Sequence, residues 1–258
     1  VQNLISTTLI AIGLVMLAQM HHLATLPMGY RTEGLVEIES YTYSTYVEQL
    51  TPIRDRLLAM PQVKRIGWAM NMPWNCQTNG VQEKGSGDEP VSSWTFYSAM
   101  DTTCMSMLGF ETVEQYCAPE DGKHYIAEET RDRYGISADN PNVGGQISGT
   151  ASYPVCGVIK DYRSFNPVDG NSMADGHNII AVMMNPNRAA FMMVELSEEG
   201  MEDVDESIRQ MQETCRAVTK EACGVEKDFD IRTVDDILAE PMEELESLLL
   251  MVLCFMFV

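Results

Sequence analysis

The sequence predicts an α+β domain flanked by transmembrane helices, on three observations. No Asp, Glu, Lys or Arg occurs from Val1 to Tyr30, and Leu4 to Ala18 is apolar apart from Ser6, Thr7 and Thr8. At the other end Ser247 leads into the uncharged run Leu248 to Val258. Between the two, apolar residues recur at spacings of two in some segments and of three or four in others, the marks of strands and helices in one chain.

A spanning helix needs roughly 20 mostly apolar residues. Residues 1–29 are therefore read as a transmembrane helix and its link. Residues 234–258 are read as a linker and the start of a second, truncated transmembrane helix, which makes the chain a fragment of a longer membrane protein. The first segment has no basic n-region and no A-x-A-like site, so a retained helix is favoured over a cleaved signal peptide.

The charged part opens with Leu35-Val36-Glu37-Ile38-Glu39, alternating as a half-buried strand does. Tyr46 to Met60 carries Val47, Leu50, Ile53 and Leu57 on one helical stripe. Pro52 suits a first turn, so regular helix is expected to start there, and Pro61 ends it. Val63 to Met70 is a second strand, completing a β-α-β unit. A matching unit closes the domain. Asn178 to Met184 and Ala190 to Leu196 are expected to pair as a hairpin through Asn185-Pro186-Asn187-Arg188. A helix over Met201 to Lys220 follows, with Val204, Ile208, Met211, Cys215 and Val218 on one face, then a short strand Phe229 to Arg232.

This order is close to the split β-α-β plan of ferredoxin-like domains, in which helices cover one face of a small sheet. Its halves are assigned to 30–72 and 177–233, with a β-rich inserted subdomain over 73–176. The insertion opens with the polar, Gly-rich stretch Gln77 to Gly87, read as an exposed loop. Ser93 to Ser98, His124 to Ala127 and Tyr153 to Ile159 read as strands, Cys104 to Leu108 and Glu129 to Tyr134 as short helices, and Gly144-Gly145 as a turn. After it, Val234, Ile237 and Leu238 form an apolar turn ahead of Pro241, which suits the first position of a helix.

Net charge is −21, from 38 acidic and 17 basic residues, which excludes a nucleic-acid partner. No P-loop, G-x-G-x-x-G, G-x-S-x-G or H-E-x-x-H is present. His21-His22 point to different sides of a helix, and His124 and His177 belong to no ligand pattern. The acidic group Glu198, Glu199, Glu202, Asp203, Asp205 and Glu206 lacks EF-hand spacing and reads as a solvated helix start. Met183, Met184, Met192, Met193, Met201 and Met211 read as core filling. Seven cysteines show no C-x-x-C pair; Cys76 with Cys104 or Cys117, and Cys215 with Cys223, are disulfide candidates beside the alternative of free thiols. No residue qualifies as catalytic, cofactor-binding or metal-binding.

Several segments, taken in order, resemble the extracytoplasmic domain of FtsX-like and MacB-like ABC transporter permeases. Tyr153-Pro154-Val155-Cys156-Gly157-Val158-Ile159-Lys160-Asp161-Tyr162 is similar to that family's hydrophobic-Gly-Val-hydrophobic-Lys-Asp-aromatic segment. His124 to Glu129 is similar to its strand followed by Asn-Glu, here without the Val run and the Asn, and Tyr134-Gly135 stands where the family has Leu-Gly. Ser98 to Phe110, Gln19-Met20 and Met28-Gly29-Tyr30 resemble its helix ending in Leu-Gly-Phe and its link after the first membrane helix.

The resemblance implies porter-like β-α-β halves, no enzymatic activity and a place in the cell inner (plasma) membrane with the soluble domain periplasmic. It implies a cytoplasmic ABC ATPase subunit or domain, membrane lipid, a homodimer or heterodimer of permeases, and a periplasmic or outer-membrane partner. The implied role is mechanotransmission: ATP-driven change passed to a substrate or partner outside the membrane. The rival from another class is the ligand-sensing ectodomain of a two-helix receptor such as a histidine kinase, which shares the helix-domain-helix layout but has no need of the insertion.

Overall fold

In the computed structural model, residues 8, 11–19, 22, 27–39, 47–84, 90–147, 150–164, 177–224, 226–240 and 251 are described. Among them no helix is long and apolar enough to cross a membrane. Part of the first expected span and most of the second lie outside the described residues. Residues 11–19 are helical, and Ile12, Leu14, Val15 and Met16 are exposed along them.

The expected β-α-β halves are present and interlock. Strand β1 (Leu35–Glu39), helix α1 (Val47–Leu58) and strand β2 (Val63–Asn71) form the first. Strand β10 (Phe191–Leu196), helix α5 (Val204–Cys223) and strand β11 (Asp230–Thr233) form the second. Their strands lie in the order β11-β1-β10-β2, every neighbour antiparallel. Each half thus inserts one strand between the two of the other, the split plan expected.

Strand β1 is buried on both faces rather than half-buried. Val36 and Ile38 face α1 and α5, packing with Ile53, Leu57, Met192, Val194, Met211 and Cys215. Leu35 faces the opposite way, into a second cluster with Trp74, Met107, Leu108 and Met193. The sheet needs that second cover because Glu37 and Glu195, on the same side, are also buried. Helix α1 begins before Pro52, not at it, with the proline in its second turn. One backbone hydrogen bond is forgone there. The expected helix over Met201 to Lys220 is two helices, α4 (Glu198–Glu202) and α5. Asp203 breaks them by taking an extended conformation and capping α5, its Oδ1 accepting from Glu206 N at 3.0 Å.

The remaining strands extend the same sheet: β3 (Gln77–Lys84), β4 (Pro90–Met100), β5 (Thr112–Gln115), β6 (His124–Ala127), β7 (Asn142–Ile147), β8 (Thr150–Ile159) and β9 (His177–Val182). Beyond β2 the order runs β4-β9-β6-β8-β5, with β3 on β4 and β7 on β8. Helices α2 (Thr102–Leu108) and α3 (Glu128–Tyr134) lie among them.

Three expectations are corrected here. Gln77 to Lys84 is not an open loop but a strand paired with β4 from Gln77↔Tyr97 to Lys84↔Pro90; 85–87 lie outside the described residues. In sequence Gln77 to Lys84 is polar apart from Gly80 and Val81, so no apolar alternation marks it as a strand. Gly144 and Gly145 are inside β7, not in a turn. The hairpin expected between Asn178–Met184 and Ala190–Leu196 does not form, because β9 pairs parallel with β4 and antiparallel with β6. Asn178 to Val182 are all buried, as suits a central strand, and Pro186–Arg188 is a 3-10 turn carrying the chain back to β10.

Candidate functional site

The residues that stand out chemically lie where the chain enters and leaves the domain. Arg163 N donates to Met28 O at 2.9 Å. Gly29 has φ +80°, and a Cβ there would lie 2.6 Å from Asp161 O and 2.7 Å from Tyr162 Cα. Only glycine fits this seat. Tyr30 follows with its ring 5.9 Å from Trp74, 6.0 Å from Phe110 and 6.5 Å from Tyr162, while Phe110 and Tyr162 meet edge-on at 4.8 Å. Such aromatic pairs each add about 0.5–1.5 kcal/mol beyond the area they bury.

Arg31 then spans two elements. Its N and Nε donate to Leu108 O and Met107 O, at 2.7 and 3.0 Å, at the end of α2. Its Nη2 donates to Glu195 Oε1 at 2.8 Å on β10. Lys64 Nζ donates to the same oxygen at 3.1 Å, and Arg65 Nε donates to Oε2. Burial pushes the Glu195 carboxyl up, but hydrogen bonds from Arg31, Arg65 and Lys64 outweigh it and hold it down at about 2. Two strand positions away across the ladder, Glu37 has the opposite fate. It accepts from Trp74 Nε1 at 2.9 Å, and Arg232 faces it on β11. Burial dominates, raising it to about 7 against the opposing pull of Trp74 and Arg232.

The exit lies against the same core. Residues 234–240 are helical, capped by Thr233 Oγ1, which accepts from Asp236 N at 3.0 Å. Val234 is fully buried in the cluster holding Leu35, Trp74 and Tyr162, and Ile237 and Leu238 pack on it with Tyr30. The expected apolar turn at Val234, Ile237 and Leu238 is thus formed; Pro241 lies outside the described residues.

The segments singled out in the sequence converge on this seat. Asp161 Oδ1 accepts from Glu129 N at 2.9 Å at the start of α3, and Lys160 pairs with Glu111 at 2.6 Å. Gly157 is required because a Cβ would lie 2.7 Å from the Tyr125 ring and 2.8 Å from Glu114 O. Gly67 likewise lets α2 close down on β2, since a Cβ would meet Cys104 N at 2.7 Å. What the sequence did not single out are Glu37, Glu195, Trp74 and Arg31. The available signal was a carboxylate inside each of two otherwise apolar strands, LVEIE and FMMVEL.

The other candidates resolve individually. His124 is a core residue: Nδ1 donates to Pro154 O at 3.2 Å, the ring meets Tyr153 edge-on, and burial lowers its pKa to about 4. The acidic group at 198–206 lies at the capped starts of α4 and α5. Met183, Met192, Met193 and Met211 are buried, but Met184 and Met201 are exposed and do not fill the core. Cys76, Cys104, Cys117, Cys156 and Cys215 are free thiols, so neither candidate disulfide is formed. Among the described residues no group of three His, Cys, Asp or Glu is placed to hold a metal ion. The side chain of His177 is outside the described set.

No family model and no curated protein matches the chain. Solved structures do. The periplasmic region of MacB from Actinobacillus actinomycetemcomitans is 13% identical with TM-score 0.47, over 81% of this chain and 92% of that one. The extracellular domain of the noncanonic ABC-type transporter YknZ from Gram-positive bacteria is 10% identical with TM-score 0.45, over 81% and 92%. A domain of a Porphyromonas gingivalis protein described as a permease is 12% identical with TM-score 0.43, over 77% and 88%.

Proposed function

We propose that the chain is the extracytoplasmic domain, with adjoining membrane segments, of an ABC transporter permease of the MacB/FtsX type, and that it passes displacement of those segments to a substrate or partner outside the membrane. The observation that carries this is the shared seat. Tyr30 at the entry and Val234, Ile237 and Leu238 at the exit pack on one core cluster, and that cluster also contains residues of α2 and of β8 and β9 in the far part of the sheet. A shift of either end therefore loads the whole domain as a body instead of bending a loop.

Two further features support the reading. The segments that resemble the family, 28–30, 98–110 and 153–162, touch one another at this seat although they are far apart in sequence. The exposed apolar side chains of Ile12, Leu14, Val15 and Met16 suit a lipid surround. On this reading β1, β2, β10 and β11 with α1 and α5 form the porter-like subdomain and β3 to β8, within 73–176, the inserted one, while β9, assigned by sequence to the second half at 177–233, joins the strands of the insertion. The ATP-hydrolysing partner is a cytoplasmic ABC ATPase, and permeases pair as homodimer or heterodimer.

The test is purification of the protein from native membranes in mild detergent, with mass spectrometry of what accompanies it. Recovery of an ABC ATPase is the expected result. Absence of any ATPase, with a kinase domain on the same polypeptide or a response regulator alongside, would overturn the reading in favour of a sensor.

A further inference from the structure

Cys117 and Cys156 stand at the far edge of the sheet, on the side away from β2. Strand β5 pairs with β8 through Gln115↔Gly157, and the chain just beyond it stays on the ladder. Tyr116 N and Cys117 N both donate to Cys156 O, at 2.7 and 3.1 Å. The shared carbonyl sets Tyr116 and Cys117 together opposite Cys156, as in a bulge, and residues opposite each other on an antiparallel ladder have Cα atoms roughly 4.5–5.5 Å apart, inside the roughly 4.4–6.8 Å that a disulfide spans.

Both side chains lie on the same face. Cys156 is fully buried in the cluster that holds Tyr125, and Cys117 packs against that cluster, half-buried. Gln115 Nε2 donates to the carbonyl oxygens of both cysteines, and its Oε1 accepts from Tyr125 OH at 3.1 Å, which fixes the two backbones against each other. Lys123 Nζ lies 3.6 Å from Cys117 Sγ. Cys156 Sγ donates to His124 O at 3.3 Å on β6, the neighbour of β8 opposite β5, so a bond to Cys117 requires that hydrogen bond to be given up for another staggered χ1 rotamer. After burial, the neighbouring Cys117 thiol is the next cause that raises Cys156, to about 11.

We propose that Cys117 and Cys156 are a disulfide-forming pair that stitches the edge strand β5 and its exit to β8 when the domain meets an oxidising compartment. The oxidant is a small-molecule or protein disulfide. Half-buried Cys117, as thiolate, attacks one sulfur of that disulfide, releasing one thiolate and forming a mixed disulfide. Cys156 then loses its proton and attacks the Cys117 sulfur, expelling the second thiolate. The external disulfide takes up the two electrons and leaves as two thiols. The compartment, though not the geometry, rests on the extracytoplasmic placement proposed above.

The experiment has two arms. The purified protein is equilibrated with oxidised and reduced glutathione, and separately isolated from native membranes without reductant; both samples are trapped with N-ethylmaleimide and mapped by mass spectrometry. The expected product is a peptide pair joining Cys117 to Cys156, lighter by two hydrogens and absent in Cys117→Ser. Reduction should lower Tm by roughly 5–15 °C in the parent and leave Cys117→Ser unmoved, since the bond closes a long loop. Recovery of both cysteines as trapped thiols after glutathione equilibration, a stalled glutathione adduct on Cys117, or a link from Cys117 to another cysteine would overturn the proposal. A pair that closes in glutathione but is found reduced in native membranes would uphold the pair and overturn the extracytoplasmic placement.

Discussion

The two faces of the β1-β10-β2 ladder do different jobs. One face lies under α1 and α5 and is closed by side chains from β1, β2, β10 and β11 and from those two helices, almost all apolar. The other carries Leu35, Met193, Glu37 and Glu195, and is closed by residues from α2, from the 3-10 turn Pro73–Asn75, from the distant strands and from the entry and exit of the domain at Tyr30 and Val234. The first face makes a module. The second wires that module to everything else, and it is the face that tolerates buried charge.

The largest difference between the faces should come from Gly29→Val. Backbone at φ +80° and a Cβ 2.6 Å from Asp161 O leave no room, so the seat must open. A loss of about 2–4 kcal/mol is expected in denaturant unfolding. Ile53→Ala, a fully buried position under α1, should cost a similar 2–5 kcal/mol. That loss should leave the contacts of 28–31 intact, as fluorescence of Trp74 beside Tyr30 would report.

The buried carboxylates sharpen the comparison by pH. Glu195, held down at about 2 from an ordinary 4.5, contributes stability that is present above pH 4.5 and lost as pH falls towards 2. Glu195→Gln should cost about 2 kcal/mol at pH 7 and flatten that acid limb. Glu37 has the opposite sign. With its proton held more tightly in the folded state, stability falls as pH rises from 4.5 through about 7. Glu37→Gln should therefore stabilise the protein by about 1–2 kcal/mol at pH 8 and remove that slope, measured as Tm between pH 5 and 8.

The sequence displays the first face far better than the second. Ile53, Leu57, Met211, Cys215 and Val218 follow helical spacing, so periodicity alone places α1 and α5 on a core. The second face is assembled from residues far apart in sequence, such as Arg31 with Glu195 and Tyr30 with Tyr162, and no local period records those meetings. The misread hairpin has the same origin. Asn178–Val182 and Phe191–Leu196 look like adjacent strands because a turn joins them, whereas both are buried central strands whose partners come from elsewhere. Strand β3 was hidden for a simpler reason, its polar side chains carrying no alternation. Of the seat itself, Gly29 and Asp161-Tyr162 were legible through family resemblance. Glu37, Trp74 and Glu195 were not.

The central claim is that the entry and exit segments of the domain and the far part of the sheet share one core. Hydrogen exchange of the parent and Gly29→Val compares its parts directly. The claim predicts that amides at 161–163, in α2 and over 234–240 lose protection together, by about tenfold or more, while α1 and α5 keep theirs. A change confined to 28–31, with α2 and 234–240 as protected as before, would contradict it.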